Sequence, residues 1–135
     1  MITKTNIASI DHDHEYILQQ IDELQKLFDA AREMEYPRQI EVVSILIRDC
    51  GKHVTQHFRE EEALMTKIGF PGLEAHRAIH QKVLDGYQQF IIDSLKVTKG
   101  EYLPLARAYF NQFRVEILSH MNREDQEWAT SLIQD

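Results

Sequence analysis

Apolar residues recur along the chain in alternating steps of three and four, which is the period of one face of an α-helix. The first segment shows this pattern over residues 10–31, and the second shows it over residues 40–68. The third segment covers residues 73–90, and the fourth covers residues 103–132. No segment alternates with the period of two that is typical of a β-strand. The pattern therefore predicts four amphipathic helices and no sheet.

Glycine and proline cluster at three points between these segments. The first break is at Pro37, the second is the run GFPG at 69–72, and the third is marked by Gly100 and Pro104. Pro37 suits the first turn of a helix, and Gly72 suits a turn before the next one. Because the breaks are short, successive helices should be antiparallel neighbours. The sequence predicts an all-α fold, an up-down-up-down antiparallel four-helix bundle.

Length and charge narrow the class of protein. The 135 residues suffice for one domain, 1–135, and are too few for two ordinary ones. The formal net charge of -7 disfavours nucleic acid and anionic membrane surfaces as partners. No apolar run approaches the roughly 20 residues that span a bilayer. The single Cys50 excludes an internal disulfide and fits a reducing compartment. We therefore expect a cytoplasmic protein with no membrane insertion.

Polar residues interrupt the apolar stripes where an ordinary bundle would carry leucine or isoleucine. Six of them are residues that can bind a metal, and a seventh lies where the fourth stripe drifts: His14, His57, Glu61, His76, His80, His120 and Asp125. Burying such groups without partners would cost about 1–3 kcal/mol each. A metal that accepts their lone pairs removes this cost, so the stripes predict a metal site inside the bundle.

The spacing of these residues supports one shared site. His57 and Glu61 are four residues apart, as are His76 and His80, so each pair projects from one face of a helix. The pair formed by His120 and Asp125 is five apart, which fits one face less well. We attribute this spacing to the gradual rotation of a straight helix off a seven-residue repeat.

The number of donors favours two metal ions. Five imidazoles and two carboxylates exceed the four ligands of a tetrahedral zinc ion. Two ions bridged by the two carboxylates would use the whole set. Imidazole suits iron, zinc, copper or nickel, and bridging carboxylates favour a hard ion, so a pair of iron ions is the leading choice.

The motifs that carry these residues resemble those of the hemerythrin family. The segment IDHDH at 10–14 resembles its first-helix signature. The run HFREEEALM at 57–65, then GFPGLEAH and HRAIH within 69–80, is similar to its central motif. His120 with Asp125 resembles its closing pair, so the match extends over residues 11–128.

The resemblance implies a division of the donors between two iron ions, Fe2+ or Fe3+, that share an oxo or hydroxo bridge from solvent. One ion would be bound by His76, His80 and His120, the other by His14 and His57, and Glu61 and Asp125 would bridge both. The ion with two histidines keeps an open position, where the family binds dioxygen reversibly.

The resemblance also implies an apolar pocket around the open position, formed by Ile17, Phe58, Ile117 and Met121. Glu116 departs from the family, which usually has tryptophan four residues before the histidine that corresponds to His120. Glu116 either points to solvent at the flank of the bundle or faces the pocket as a proton donor or added ligand. In the second case, Glu116→Leu should slow autoxidation.

Residues next to the donors have roles that the sequence leaves open. His53 lies one turn before His57 and is either an outer partner of that histidine or a surface residue, because metal-bound histidines commonly need an outer partner. Glu60 and Glu62 flank Glu61 and are predicted to point elsewhere on the helix.

Three functions remain open on the sequence. The first is a monomeric, non-enzymatic protein that binds dioxygen for storage, for delivery to an oxygen-using enzyme, or for sensing. The second is a di-iron enzyme acting on dioxygen, peroxide or nitric oxide, which Glu116 in the pocket would favour. The third is an iron-handling or structural bundle whose site is seldom filled.

Overall fold

The computed structural model describes residues 2–133, and these form helices, turns and short connections without a strand. Four long helices are followed by a short one: α1 (Ala8–Ala31), α2 (Tyr36–Ile68), α3 (Leu73–Ser94), α4 (Lys99–Asn122) and α5 (Glu124–Ile133). Helices α1 and α3 each pack against both α2 and α4. The short connections make successive helices antiparallel, so the four-helix bundle expected from the sequence is confirmed.

The first two breaks lie where glycine and proline predict them. Pro37 occupies the first turn of α2, where its missing N–H leaves no helical hydrogen bond unmade. Gly69 ends α2 in the left-handed conformation, with φ 67°, and its N–H reaches the carbonyls of Met65 and Thr66. Glycine adopts this conformation at little cost, so the helix stops cleanly before α3 begins at Leu73.

The third break lies earlier than predicted. The chain turns at residues 95–98, and α4 starts at Lys99, so both Gly100 and Pro104 lie inside the helix. Pro104 has no N–H to donate to the carbonyl of Gly100, one turn earlier, and a proline ring also crowds that carbonyl. The loss of that single bond near the start of a helix does not prevent the helix from forming.

The end of the fourth segment also differs from the prediction. Helix α4 ends at Asn122, Arg123 has φ -114° and ψ -75°, and α5 begins at Glu124. Gradual rotation of one straight helix is therefore the wrong explanation for the spacing of His120 and Asp125. Because the helix is interrupted at Arg123, the side chains that follow it project in different directions from those that one continuous helix would give.

The hydrophobic core has two parts, and the polar donors of α1, α2 and α3 lie between them. The larger part includes Ile17, Val54 and Ile117 and extends toward the connections 32–35 and 95–98. The smaller part is formed by Ile10, Met65 and Trp128 at the opposite end, where α5 contributes the tryptophan. No helix of the described residues is long and apolar enough to cross a membrane.

Candidate metal centre

The helices bring all seven predicted donor residues into the interior of the bundle. Each is at most 3% exposed, although imidazoles and carboxylates are costly to bury. One residue comes from α1, two each from α2 and α3, one from α4 and one from α5: His14, His57, Glu61, His76, His80, His120 and Asp125.

The donor atoms form two overlapping groups, within each of which all atoms lie within 4.8 Å of one another. The larger group contains three histidines, and the smaller contains two. Both groups include the same two carboxylates, Glu61 and Asp125. The groups are therefore neighbours that share their acidic residues rather than two separate sites.

Glu61 presents one carboxylate oxygen to each group. Its Oε2 lies 3.3 Å from Nε2 of His14 and 3.3 Å from Nε2 of His57. Its Oε1 lies 3.3 Å from Nε2 of His80, which belongs to the larger group. The two oxygens of this side chain thus face different sets of histidines.

Asp125 divides its oxygens in the same way. Oδ2 lies 3.0 Å from Nε2 of His14, and Oδ1 lies 3.0 Å from Nε2 of His76 and 3.2 Å from Nε2 of His120. The indole N–H of Trp128 donates a hydrogen bond to Oδ1 over 3.2 Å, which helps to fix the carboxylate.

Hydrogen bonds alone do not account for this arrangement. The Nε2 atoms of His80 and His120 face each other at 2.9 Å, although the single N–H of each neutral ring is directed from Nδ1 to Glu62 or Glu124. Buried donor atoms of His57, His76 and Asp125 have no hydrogen-bond partner. Ligands of one cation lie about 2.1 Å from it and therefore about 3 Å from one another. The nitrogen and oxygen atoms of this site converge at about 3 Å without hydrogen-bond angles, as the ligands of a shared cation do. The residues fit a metal site.

The protonation equilibria of the metal-free site reflect this crowding. Burial lowers the pKa of His14, but attraction to the carboxylates of Asp125 and Glu61 outweighs it and raises that pKa to about 9. Burial and the Asp125 charge raise the pKa of Glu61, yet close contacts with His14, His57 and His80 bring it down to about 2. The pKa of Asp125 is also well below its usual range, because close contacts with His120, His14 and His76 outweigh the effect of burial. Metal binding would therefore displace protons.

In three of the histidines, the N–H of the other ring nitrogen, Nδ1, donates to a carboxylate near the surface. Nδ1 of His80 lies 2.7 Å from Oε2 of Glu62, and Nδ1 of His57 lies 3.2 Å from Oδ2 of Asp13. Nδ1 of His120 lies 3.4 Å from Oε1 of Glu124. Such partners fix the ring orientation and increase the basicity of a metal ligand.

These contacts correct one prediction and decide another. Glu62 does not point away from the site, because it lies about 100° around α2 from Glu61 and faces α3, which carries His80. His53 is not the outer partner of His57: it is half-buried and contacts the ring of Tyr16, with centroids 4.6 Å apart. Asp13 takes the outer position instead.

The predicted pocket residues are buried beside the donors. Ile17, Phe58, Ile117 and Met121 are each at most 1% exposed and belong to the larger hydrophobic cluster. The ring of Phe58 stacks on His80 with a centroid distance of 3.8 Å and contacts His120 edge-on at 5.8 Å. These side chains form an apolar wall on one side of the donor groups.

Glu116 lies away from the donor groups. Its side chain is exposed and accepts a hydrogen bond from Gln112 on the same helix, with 3.3 Å between the two atoms. Ile117, the next residue, takes the inward position. The structure thus places Glu116 at the flank of the bundle, and no contact within residues 2–133 brings it to the pocket.

Comparisons with known proteins agree with this geometry. A family model described as "Hemerythrin HHE cation binding domain" matches residues 5–132. A bacteriohemerythrin of Campylobacter jejuni subsp. jejuni serotype O:23/36 (strain 81-176) is 27% identical over 99 residues, which cover 70% of this chain and 67% of the relative. A bacteriohemerythrin of serotype O:6 (strain 81116 / NCTC 11828) is 26% identical over the same length and shares. No solved structure gives a significant match. Since the family model covers nearly all of the chain, this protein belongs to the hemerythrin family.

Proposed function

We propose that this protein binds dioxygen reversibly at a non-haem pair of iron ions and serves oxygen storage, delivery or sensing rather than catalysis. The observation that carries the proposal is the division of the carboxylate oxygens. Glu61 and Asp125 each turn one oxygen toward the three-histidine group and the other toward the two-histidine group. A single ion would leave one of these groups without a role.

The donor sets suggest how the residues would be used. One ion would be held by His76, His80 and His120, the other by His14 and His57, and both by the two carboxylates, with an oxo or hydroxo bridge from solvent. The second set offers one protein donor fewer, which leaves room for an external ligand. When bound there, the iron pair would supply the reversible exchange of electrons with dioxygen that protein side chains lack.

The role of the apolar residues would be to exclude water. Water or protons reaching a bound oxygen ligand would displace it, so a dry wall favours reversible binding. Ile17, Ile117 and Met121 carry no polar atom on their side chains that could hold a water molecule there. Phe58, stacked on His80, both excludes water and restrains that ring.

The charge of the donor set favours binding over oxidation chemistry. Ferritin-like di-iron proteins supply a glutamate from each of their four helices, together with two histidines. Here only Glu61 and Asp125 are anionic, so the iron pair would retain more positive charge, which disfavours higher oxidation states. Glu116, the residue that would favour an enzyme, is exposed on the flank of α4. No contact of the described residues favours the enzymatic alternative.

We further propose that the protein acts as a monomer in the cytoplasm and delivers dioxygen to an oxygen-using enzyme. Large exposed apolar side chains of the described residues form small separate groups rather than one patch: Tyr16, Ile45 and Leu46 on α1 and α2, Ile92 and Leu95 at the end of α3, and Val115 on α4. Cys50 is a free thiol, which fits a reducing compartment.

The proposal is tested by exposing the protein to dioxygen after anaerobic reconstitution with ferrous iron. We expect a visible charge-transfer band that forms with dioxygen and disappears when dioxygen is removed, over repeated cycles. Rapid, irreversible oxidation of the iron to a ferric form, accompanied by consumption of an added substrate, would support the enzymatic alternative instead. Absence of any spectral change in fully loaded protein would contradict dioxygen binding.

A further inference from the structure

A groove between α2 and α3 is lined by cationic side chains and does not take part in the proposed dioxygen site. It encloses about 760 Å³, and its walls include apolar and basic residues: Arg48, Lys52, Arg59, Leu84, Tyr87 and Ile91. The three cations all come from α2 and are exposed. None of them forms an ion pair with a residue in the described part of the chain.

The charge of this groove is opposite to that of the whole chain. The chain has a formal net charge of -7, whereas the groove carries three cations and one acidic residue, Asp85. Asp85 accepts a hydrogen bond from Gln81 of the same helix over 2.8 Å. Arg107 and Arg114 of α4, by contrast, pair with acidic residues of α1. The groove is therefore a local attractor for an acidic partner.

The length of the cationic row indicates the kind of partner. Arg48 and Arg59 are eleven residues apart on one helix, which corresponds to about 16 Å at 1.5 Å per residue. A small inorganic anion could not contact both ends of this row. Leu84 and Ile91, both half-buried, add apolar surface along the α3 wall. An acidic protein segment with apolar side chains fits this combination.

One end of the groove reaches the candidate metal centre. Gln81 and Leu84 line this groove and also a second depression of about 310 Å³ that includes His80, together with Arg77 and its two acidic partners Glu62 and Glu74. His80 belongs to the three-histidine group, and its Nδ1 is bonded to Glu62. A protein seated in the groove would therefore lie against the outer edge of a metal-site histidine.

We propose that an acidic electron-carrier protein docks in the α2–α3 groove and returns oxidised iron to the ferrous state through His80. This inference rests on the proposed function, because a ferric pair could not bind dioxygen and would need a reductant. The carrier gives up one electron in each docking event and is itself oxidised by one electron. Two events convert two ferric ions to two ferrous ions.

The test compares reduction by a protein with reduction by a small molecule. The ferric, iron-loaded protein is mixed in a stopped-flow instrument with an acidic [2Fe–2S] ferredoxin in its reduced form, or with dithionite. The groove variant combines Arg48→Glu, Lys52→Glu and Arg59→Glu. The control variant combines Lys26→Glu, Arg32→Glu and Arg38→Glu, which are exposed residues outside the groove, and has the same net charge.

We expect the groove variant to react with the ferredoxin about tenfold or more slowly than the control variant at low ionic strength. The difference should shrink as salt screens the charges. Dithionite should reduce both variants at the same rate. Equal rates of the two variants with the ferredoxin would overturn the proposal.

A binding measurement keeps this result separate from the dioxygen proposal. The full chain as purified is titrated with the same ferredoxin by isothermal titration calorimetry, which needs no iron chemistry. We expect the groove variant to lose binding and the control variant to keep it. Equal affinities would overturn docking even if dioxygen binds, and selective loss would support docking even if the dioxygen band is absent.

Discussion

Surface carboxylates orient the histidines of the candidate metal centre, and the bond from His80 to Glu62 is the shortest of them at 2.7 Å. Replacement by Glu62→Gln removes the charge that makes His80 a stronger ligand. We expect the affinity for ferrous iron to fall about 10- to 100-fold, as other outer carboxylates of metal sites suggest. Competition with a chelator of known affinity measures the affinity of each variant for ferrous iron.

The matched control for this change is Glu74→Gln. Glu74 is 82% exposed and pairs with Arg77, as Glu62 does, but it makes no bond to His80. We expect wild-type affinity for this variant. Equal losses in the two variants would show that surface charge, rather than the bond to His80, sets the affinity.

Of two neighbouring residues on α4, one lies on the surface and the other lies beside the pocket. Because Glu116 is exposed and Ile117 is buried, Glu116→Leu should leave the rate of autoxidation of the oxygenated protein unchanged. Ile117→Thr introduces a hydroxyl that can hold water and should raise that rate by about tenfold. The decay of the dioxygen-dependent absorption band gives both rates. Slower decay in Glu116→Leu would instead support a role for Glu116 in the pocket.

At the scale of single residues, sequence predicted the inward side chains better than their outer partners. His14, His57 and Glu61 interrupt apolar stripes, so their burial follows from helical period alone. Glu62 and Asp13 lie beside the stripe, and whether such a residue faces solvent or a neighbouring helix depends on how the helices are arranged. That arrangement is a property of the packed bundle.

At the scale of the helices, Gly51 in α2 and Gly86 in α3 are both interior glycines, but their surroundings differ. A Cβ at Gly51 would lie 2.7 Å from Cε1 of the Tyr87 ring, whose hydroxyl donates to the carbonyl of Ile47. A Cβ at Gly86 would meet nothing within 4 Å. Glycine thus allows Tyr87 to pack against the backbone of α2.

We expect opposite effects when each glycine is replaced by alanine. Gly86→Ala should raise the free energy of unfolding by about 1 kcal/mol, because alanine is the better helix former. Gly51→Ala should lower it by about 1–3 kcal/mol, since the added methyl group displaces a buried ring. Urea denaturation of both variants measures the difference, and a stabilised Gly51→Ala protein would contradict the close packing at Tyr87.

The helices themselves were predictable, and their ends were predictable only in part. The start of α2 and the end at Gly69 follow from local chemistry, because proline and glycine act there on their own backbone. The turn at 95–98 and the interruption at Arg123 carry no glycine or proline. Packing places these two breaks: the second allows α5 to bring Trp128 onto the smaller cluster and Asp125 to the donors.

At the scale of the whole molecule, the buried charges link metal-free stability to pH. The pKa of His14 is about 9 in the folded protein, above its ordinary value of 6.5. A raised pKa stabilises the folded state fully below pH 6.5, and this contribution is lost as the pH rises through 9. For His14 the loss amounts to about 3 kcal/mol at most.

We therefore expect the free energy of unfolding of the metal-free protein to decrease between pH 6.5 and 9. His14→Gln should show a smaller decrease, because the histidine with this raised pKa is gone. Part of the decrease should remain, since the pKa values of His57 and His120 are also raised by attraction to Glu61 and Asp125 that outweighs burial. Urea denaturation at several pH values provides the measurement. Stability that rises over this range would contradict protonated histidines in the metal-free site.

Two metal ions between shared carboxylates are the centre of the proposed function, and anomalous diffraction from crystals of the iron-loaded protein tests their presence most directly. We expect two iron peaks inside the bundle, each about 2.0–2.2 Å from its own group of histidine nitrogens. Glu61 and Asp125 should lie between the two peaks. A single peak, or iron bound only at surface carboxylates while the seven donors stay empty, would contradict the account.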